Sequence, residues 1–169
     1  MKRNAILKLA LAGVLCAVAV VGSMFSFPVF GSKCAPVQHM VNILCAVLLG
    51  PWWGGAAAGI GSMLTDLLNG YAHYAPGTFV IKGCMAIAAA LLAKAMGRKA
   101  GGYVVSGIVA EVIMVVGYFG YAALLLGKGI GAAASIPGNL VQAVMGLAIG
   151  LILFFLLKRS KALDKLGLQ

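Results

Sequence analysis

The sequence predicts an all-α integral membrane protein with six transmembrane helices and both termini in the cytoplasm. Of its 169 residues, 63% are hydrophobic and only 9% are charged, with a mean hydropathy of +1.07. Soluble domains carry roughly a quarter charged residues, so a surface of this composition must face lipid instead of water. The 24 glycines agree, because small residues let membrane helices approach closely. No change in composition divides the chain, so residues 1–169 are expected to form a single six-helix domain.

Proline, glycine and asparagine breaks separate six apolar segments, and each segment is interpreted as one helix. The first is closed by Ser26-Phe27-Pro28, and a loop is expected around Phe30 to Ala35. The second and third are short and are joined by little more than Gly50-Pro51. Prolines near the starts of the second, fourth and sixth segments fit the first turn of a helix. The predicted helices span residues 5–24, 36–49, 52–68, 76–96, 101–126 and 137–157.

The basic residues predict the orientation. With the N-terminus inside, ten Lys and Arg lie on the inner side, and only Lys33 and Lys128 lie in outer loops. This asymmetry predicts cytoplasmic termini by the positive-inside rule. A basic face for nucleic acid would need a soluble domain to display it, and none is predicted. Lipid is therefore the expected surrounding, and no nucleic-acid partner is expected.

The motifs of several enzyme classes are missing. The sequence has no GxxxxGK[ST] phosphate loop, so the chain is not expected to hydrolyse ATP itself. It has no HExxH or CxxC, and His39 and His73 lie in separate segments, which is weak support for a metal site. No catalytic residue and no metal are therefore predicted. Among the four cysteines, Cys34 is the candidate for a reactive thiol, because it alone lies in a loop.

Small residues recur at four-residue steps on three predicted helices, at Gly13 to Ala17, Gly55 to Gly59 and Gly146 to Gly150. Such steps allow close approach of another helix. For any single pair, packing inside the bundle is favoured over a face for a partner protein.

Polar residues inside the predicted helices converge on the outer half of the bundle. Charged groups in hydrocarbon are costly and usually face a cavity or a partner, so the cluster favours an outward-facing, water-accessible pocket. The alternative is that these groups tie helices together, with Lys82 neutralised by Asp66 or Glu111, and a Lys82–Asp66 pair is the preferred version. Trp52 or the tyrosines are available for stacking. The candidate substrate-binding residues are Gln38, His39, Asn42, Asp66, His73, Tyr74, Lys82, Glu111, Tyr118, Asn139 and Gln142.

Residues 33–42, 47–52, 54–62 and 65–83 are four stretches that resemble the substrate-binding S components of energy-coupling factor (ECF) vitamin transporters. Residues 54–62 and 65–83 are most similar to the hydroxymethylpyrimidine and pyridoxine type. Residues 33–42 and 47–52 resemble the ThiW group, which is linked to the thiazole half of thiamine. Pro137-Gly138-Asn139 with Gln142 adds a weaker match in the sixth helix.

The resemblance implies a multi-pass protein of a prokaryotic plasma membrane that binds a micronutrient from outside. It implies an EcfT-type transmembrane coupling protein and two EcfA-type ATPases as partners, which use the ATP, with no cofactor in this chain. S components are thought to topple in the membrane to release substrate inside. The family's alanine-rich first helix contacts the coupling protein, and the counterparts here are Ala10, Gly13 and Ala17. Glycine and cysteine stand where the family's AxxxA pattern is expected.

The resemblance predicts a thiamine precursor as substrate, hydroxyethylthiazole first and hydroxymethylpyrimidine second. Pyridoxine, riboflavin, pantothenate and queuosine-type salvage remain open. Outside the family, a stand-alone secondary carrier or channel would carry flux without ATP, but the inner halves of the helices look too apolar for a polar path. A membrane enzyme or a purely structural subunit has less support.

Overall fold

Six α-helices follow one another in the computed structural model, which describes residues 2–29 and 32–161. The prediction of an all-α protein with six helices is confirmed, and most helix ends lie within one to three residues of their predicted positions. The helices are α1 (Lys2–Ser23), α2 (Pro36–Leu49), α3 (Pro51–Leu68), α4 (Ala75–Ala95), α5 (Ala100–Gly120) and α6 (Ile136–Arg159). Lys165, one of the predicted inner-side charges, lies outside the described residues.

Four of the helical segments in the described residues are long and apolar enough to cross a membrane: α1, α4, α5 with its continuation, and α6 with the segment before it. Helix α2 has 14 residues, about 21 Å at 1.5 Å per residue, which is shorter than the roughly 30 Å hydrocarbon layer. It contacts α1, α3, α4 and α6, so neighbouring helices shield it. Gly50 alone joins α2 to α3, with a φ of 79° that favours glycine.

A short β-hairpin stands where the sequence predicted a loop. Strands β1 (Phe27–Val29) and β2 (Ser32–Cys34) are antiparallel, with Phe27 opposite Cys34. The loop prediction around Phe30 to Ala35 is therefore corrected for Ser32–Cys34, while Phe30 and Gly31 lie outside the described residues. Cys34 is fully buried, and burial raises the pKa of its thiol. A buried thiol with a raised pKa forms little thiolate, so Cys34 is not expected to be reactive.

The chain between α5 and α6 is more structured than predicted. Residues Tyr121–Leu125 continue α5 as a π-helical turn, and Gly129–Ser135 form a 3₁₀ helix that leads into α6. The predicted fifth helix had included this turn without its change of geometry, and the 3₁₀ helix was not predicted. Glycine and alanine fill most of it, and they give little periodic signal.

The small-residue steps separate into two kinds. A Cβ on Gly55 would lie 2.6 Å from Ile87, and one on Gly59 would lie 2.8 Å from the Phe79 carbonyl oxygen. Gly146 and Gly150 likewise face His39 and Ile43 of α2. These two steps serve internal packing, as favoured from the sequence. By contrast, a Cβ built on Gly13 has no atom of residues 2–29 or 32–161 within 4 Å.

The two ends of the bundle differ in chemistry. At one end α1, α3 and α5 finish and α2, α4 and α6 begin, and polar side chains meet there; we call this the cavity end. At the other, which we call the basic end, Lys94, Arg98, Lys99, Lys158 and Arg159 are exposed. The predicted orientation would place the basic end in the cytoplasm.

Candidate functional site

A cavity of about 450 Å³ occupies the cavity end. Its volume lies within the range typical of small-molecule sites. All six helices contribute residues to its wall, because each helix has one terminus at this end. Its polar lining residues are Ser23, Ser26, Gln38, Thr65, Asp66, Asn69, Tyr71, Tyr74, Lys82, Tyr118, Lys128, Ser135, Asn139 and Gln142.

The structure brings seven of the eleven candidate residues to this cavity wall and leaves four away from it. The seven are Gln38, Asp66, Tyr74, Lys82, Tyr118, Asn139 and Gln142. His39, Asn42, His73 and Glu111 do not line it, and Trp52 is 75% exposed at the basic end. The side chains available for stacking are therefore tyrosines.

Beneath the cavity, three ionisable side chains form a buried hydrogen-bonded row. Lys82 Nζ lies 2.8 Å from His39 Nδ1, and His39 Nε2 lies 2.6 Å from both carboxylate oxygens of Glu111. A lysine ammonium can only donate, so Nδ1 accepts and the Nε2–H donates to Glu111. Lys82 also donates to Met114 Sδ at 3.1 Å. His39 and Glu111 thus hold Lys82 in place and do not reach the cavity.

Asp66 belongs to a second chain of hydrogen bonds. The Thr78 hydroxyl donates to Asp66 Oδ2, and the Tyr118 hydroxyl donates to Thr78 Oγ1 at 3.0 Å. Within residues 2–29 and 32–161, Lys82 and Asp66 form no ion pair, and the carboxylate linked to Lys82 is that of Glu111, through His39. The predicted Lys82–Asp66 pair is therefore wrong. The reason is that His39, on α2, comes between α4 and α5 and offers Lys82 a nearer acceptor.

Two of the four candidate amide side chains have structural partners. Gln142 Oε1 accepts from the Ala35 backbone N–H at 3.0 Å, which attaches the end of the hairpin to α6. Asn42 is 1% exposed, and its Oδ1 accepts from the Ser62 hydroxyl at 3.2 Å. In the part of the chain that the structure describes, the side chains of Gln38 and Asn139 form no hydrogen bond to protein. Those two amides are free to bind a ligand.

Aromatic residues surround the mouth of the cavity. The rings of His73 and Tyr74 lie 4.8 Å apart, and the His73 carbonyl accepts from the Tyr121 hydroxyl at 2.9 Å. Lys128 Nζ donates to the Tyr74 hydroxyl at 3.0 Å. His73 therefore belongs to the rim and not to the wall.

Sequence reasoning missed several small polar lining residues, namely Ser23, Ser26, Thr65 and Ser135. Each lies within about one turn of a helix terminus at the cavity end. Their shared depth in the bundle is the feature from which they could have been predicted. Among the described residues, no three His, Cys, Asp or Glu side chains come together as a metal site requires.

One face of α1 is left open. Ala10, Gly13 and Ala17 are all exposed, and their spacing of three and four residues places them on one side of the helix. Elsewhere on the helix, Cys16 Sγ donates to the Ala57 carbonyl of α3. The open face therefore has no partner within the described chain.

Comparison with known proteins identifies relatives of the whole bundle. Residues 3–159, which include nearly all of the six helices, match the family described as "ECF-type riboflavin transporter, S component". The chain is also 42% identical over 120 residues to a protein of Pyrococcus woesei described as "Uncharacterized protein in gap 3'region". That alignment covers 69% of this chain and 77% of the relative.

Proposed function

Because the chain belongs to the ECF-type riboflavin transporter S component family, we propose that its cavity captures a small heteroaromatic vitamin or vitamin precursor for uptake. The observation that carries this proposal is the cavity itself. It combines about 450 Å³ with unpaired amides, three charged groups and tyrosine rings at one end of an otherwise apolar bundle. Sites for small molecules use such a few placed polar groups to fix orientation.

The single-ring precursors of thiamine, hydroxyethylthiazole and hydroxymethylpyrimidine, are the first candidates, because stretches of the sequence resemble S components for those molecules. Riboflavin is the second, because the matched family description names it. In either case the ring would stack on a tyrosine and hydrogen-bond to Gln38 or Asn139.

In the proposed mechanism, the cavity end faces outside and the basic end faces the cytoplasm of a prokaryotic cell. The chain binds the ligand, and an EcfT-type coupling protein with two EcfA-type ATPases supplies the energy. The open face of α1, formed by Ala10, Gly13 and Ala17, would contact the coupling protein. Binding alone then gives no net transport.

The packing toward the basic end supports a binding subunit over a stand-alone channel or carrier. Leu44, Ala93, Tyr103 and Phe154 form a buried apolar cluster there. A hydrophilic solute is not expected to cross such an apolar cluster.

A ligand panel with cavity variants tests the proposal. Purified protein is titrated with vitamins and precursors while its thermal unfolding is followed, because a ligand that binds only the folded state raises the unfolding temperature. Asn139→Ala is expected to weaken binding of the stabilising ligand about 2–10-fold, the usual worth of one neutral hydrogen bond. Asn4→Ala, at the basic end, is the matched control and should bind as the native chain does. If both variants bound the ligand with equal affinity, Asn139 would not be part of the binding site. If no vitamin raised the unfolding temperature, the proposed function would be refuted.

A bulky residue on the open face of α1 tests the coupling surface. Gly13→Leu is expected to leave ligand affinity unchanged, because no atom of the described residues lies within 4 Å of a Cβ at that position. It should weaken assembly with the coupling protein about tenfold or more, as overpacking of a close helix contact does. Pull-down with the coupling module measures this, and Gly120→Leu on α5, also free of neighbours within 4 Å, is the control. Unchanged assembly of Gly13→Leu would place the coupling surface elsewhere.

A further inference from the structure

Two opposite charges border the cavity without pairing. Lys82 on α4 and Asp66 on α3 both line it, and in low-dielectric surroundings such groups normally pair with each other. Here each is held by its own hydrogen-bonded chain, Lys82 by His39 and Met114 and Asp66 by Thr78. The fold thus keeps the ammonium and the carboxylate apart, at fixed positions.

Each of these groups retains hydrogen-bonding capacity. An ammonium has three N–H donors, and His39 and Met114 account for two of those of Lys82. A carboxylate accepts at both oxygens, and within residues 2–29 and 32–161 the hydrogen bond to the Asp66 carboxylate is that of the Thr78 hydroxyl to Oδ2. One donor and one acceptor oxygen therefore remain for a ligand.

An aromatic face accompanies the two charges. Lys82 Nζ lies 5.7 Å from the centroid of the Tyr118 ring, and the Tyr118 hydroxyl is linked through Thr78 to Asp66. Tyr118 therefore connects the surroundings of both charged groups and lines the same cavity. A planar ligand on this face would meet both of them at its edge.

From this arrangement we infer that the ligand is a planar heterocycle whose edge carries a hydrogen-bond acceptor for Lys82 next to an N–H donor for Asp66. This inference rests on the proposed function and narrows its substrate class. An aminopyrimidine has such an edge, with its ring nitrogen beside its amine, and so does the cyclic imide of a flavin. The thiazole alcohol has no ring N–H, and its only donor is a hydroxyl on a flexible chain, so it is expected to bind more weakly.

Matched probe pairs test the donor half of the inference by titration calorimetry. One pair is hydroxymethylpyrimidine and the same ring with the amine replaced by hydrogen. The other is riboflavin and its analogue methylated on the imide nitrogen. In the pair that binds, loss of the N–H should weaken binding about 10–100-fold, as for a hydrogen bond to a charged group. The difference should vanish in Asp66→Ala, and Asp66→Asn, which keeps a neutral acceptor, should retain part of it.

The inferred hydrogen-bond acceptor that faces Lys82 is tested by changing the ligand, because changing the buried Lys82 would also disturb folding. Replacing the ring nitrogen beside the amine of hydroxymethylpyrimidine by C–H, or an imide carbonyl of riboflavin by CH₂, should weaken binding by a similar factor.

The outcomes separate this inference from the proposed function. Equal affinity of a probe and its N–H-deficient analogue would overturn the inference while leaving a vitamin-binding subunit. If the thiazole alcohol, or any vitamin lacking this edge, bound more tightly than the ligands that have it, the inference would also be overturned and the vitamin-binding function would stand. Binding of no vitamin at all would refute both.

Discussion

Replacing Glu111 by leucine is expected to destabilise the folded chain by about 3–5 kcal/mol, the cost of leaving one partner of a buried ionic network uncompensated. Glu111 is 6% exposed and Lys82 is 1% exposed, and His39 joins them. Removal of the carboxylate leaves the ammonium buried with no anion linked to it. Thermal and denaturant unfolding in detergent measure the loss.

The double variant Lys82→Met/Glu111→Leu separates charge from packing. Apolar replacement of both charged partners of a buried network is often close to neutral, so the double variant should recover part of the stability that Glu111→Leu loses, less the cost of leaving the buried His39 ring nitrogens unpaired. Lys128→Met, which removes an exposed lysine, is the control for loss of a positive charge alone. If Glu111→Leu unfolded at the same temperature as the native chain, the hydrogen-bonded row of Lys82, His39 and Glu111 would contribute little to the stability of the fold.

Gly54→Ala is expected to destabilise the bundle by about 1–3 kcal/mol or more, in the manner of an overpacked core. A Cβ on Gly54 would overlap the Cys45 carbonyl oxygen and would lie 2.8 Å from its carbon. Because both are backbone atoms, α2 and α3 would have to separate. The two helices are joined by Gly50 alone and cannot easily do so.

Gly13→Ala is the matched control for that substitution, since it makes the same change inside a helix at a site where the described part of the chain places no atom within 4 Å. It should be neutral or stabilise α1 by up to about 1 kcal/mol, the difference in helix propensity. The comparison uses unfolding in one detergent for both variants. A Gly54→Ala chain as stable as Gly13→Ala would contradict the close contact of α2 and α3.

The helices could be predicted because proline and glycine interrupt the apolar segments at nearly every boundary. The cavity could be foreseen because depth in an up-and-down bundle follows from counting residues along each helix. Asp66, Thr78 and Lys82 all lie in the stretch 65–83 that carries the family resemblance, and the structure places all three at or beside the cavity.

The partners of each polar group could not be predicted, because depth does not fix rotation about the helix axis. Gln38 and His39 are adjacent in sequence but about 100° apart around α2. Gln38 consequently lines the cavity, whereas His39 turns to Lys82 and Glu111. The hairpin was missed for another reason: three-residue strands are too short to show an alternating pattern.

Native mass spectrometry of the gently purified chain tests whether the cavity captures a vitamin. One small molecule is expected per chain, with the mass of a heteroaromatic vitamin or precursor, and joint substitution of the cavity residues Asp66 and Asn139 should abolish its binding. A chain that carries no small molecule and gains no thermal stability from thiazole, pyrimidine, riboflavin or other vitamins would refute capture by the cavity and would favour a carrier or a structural subunit.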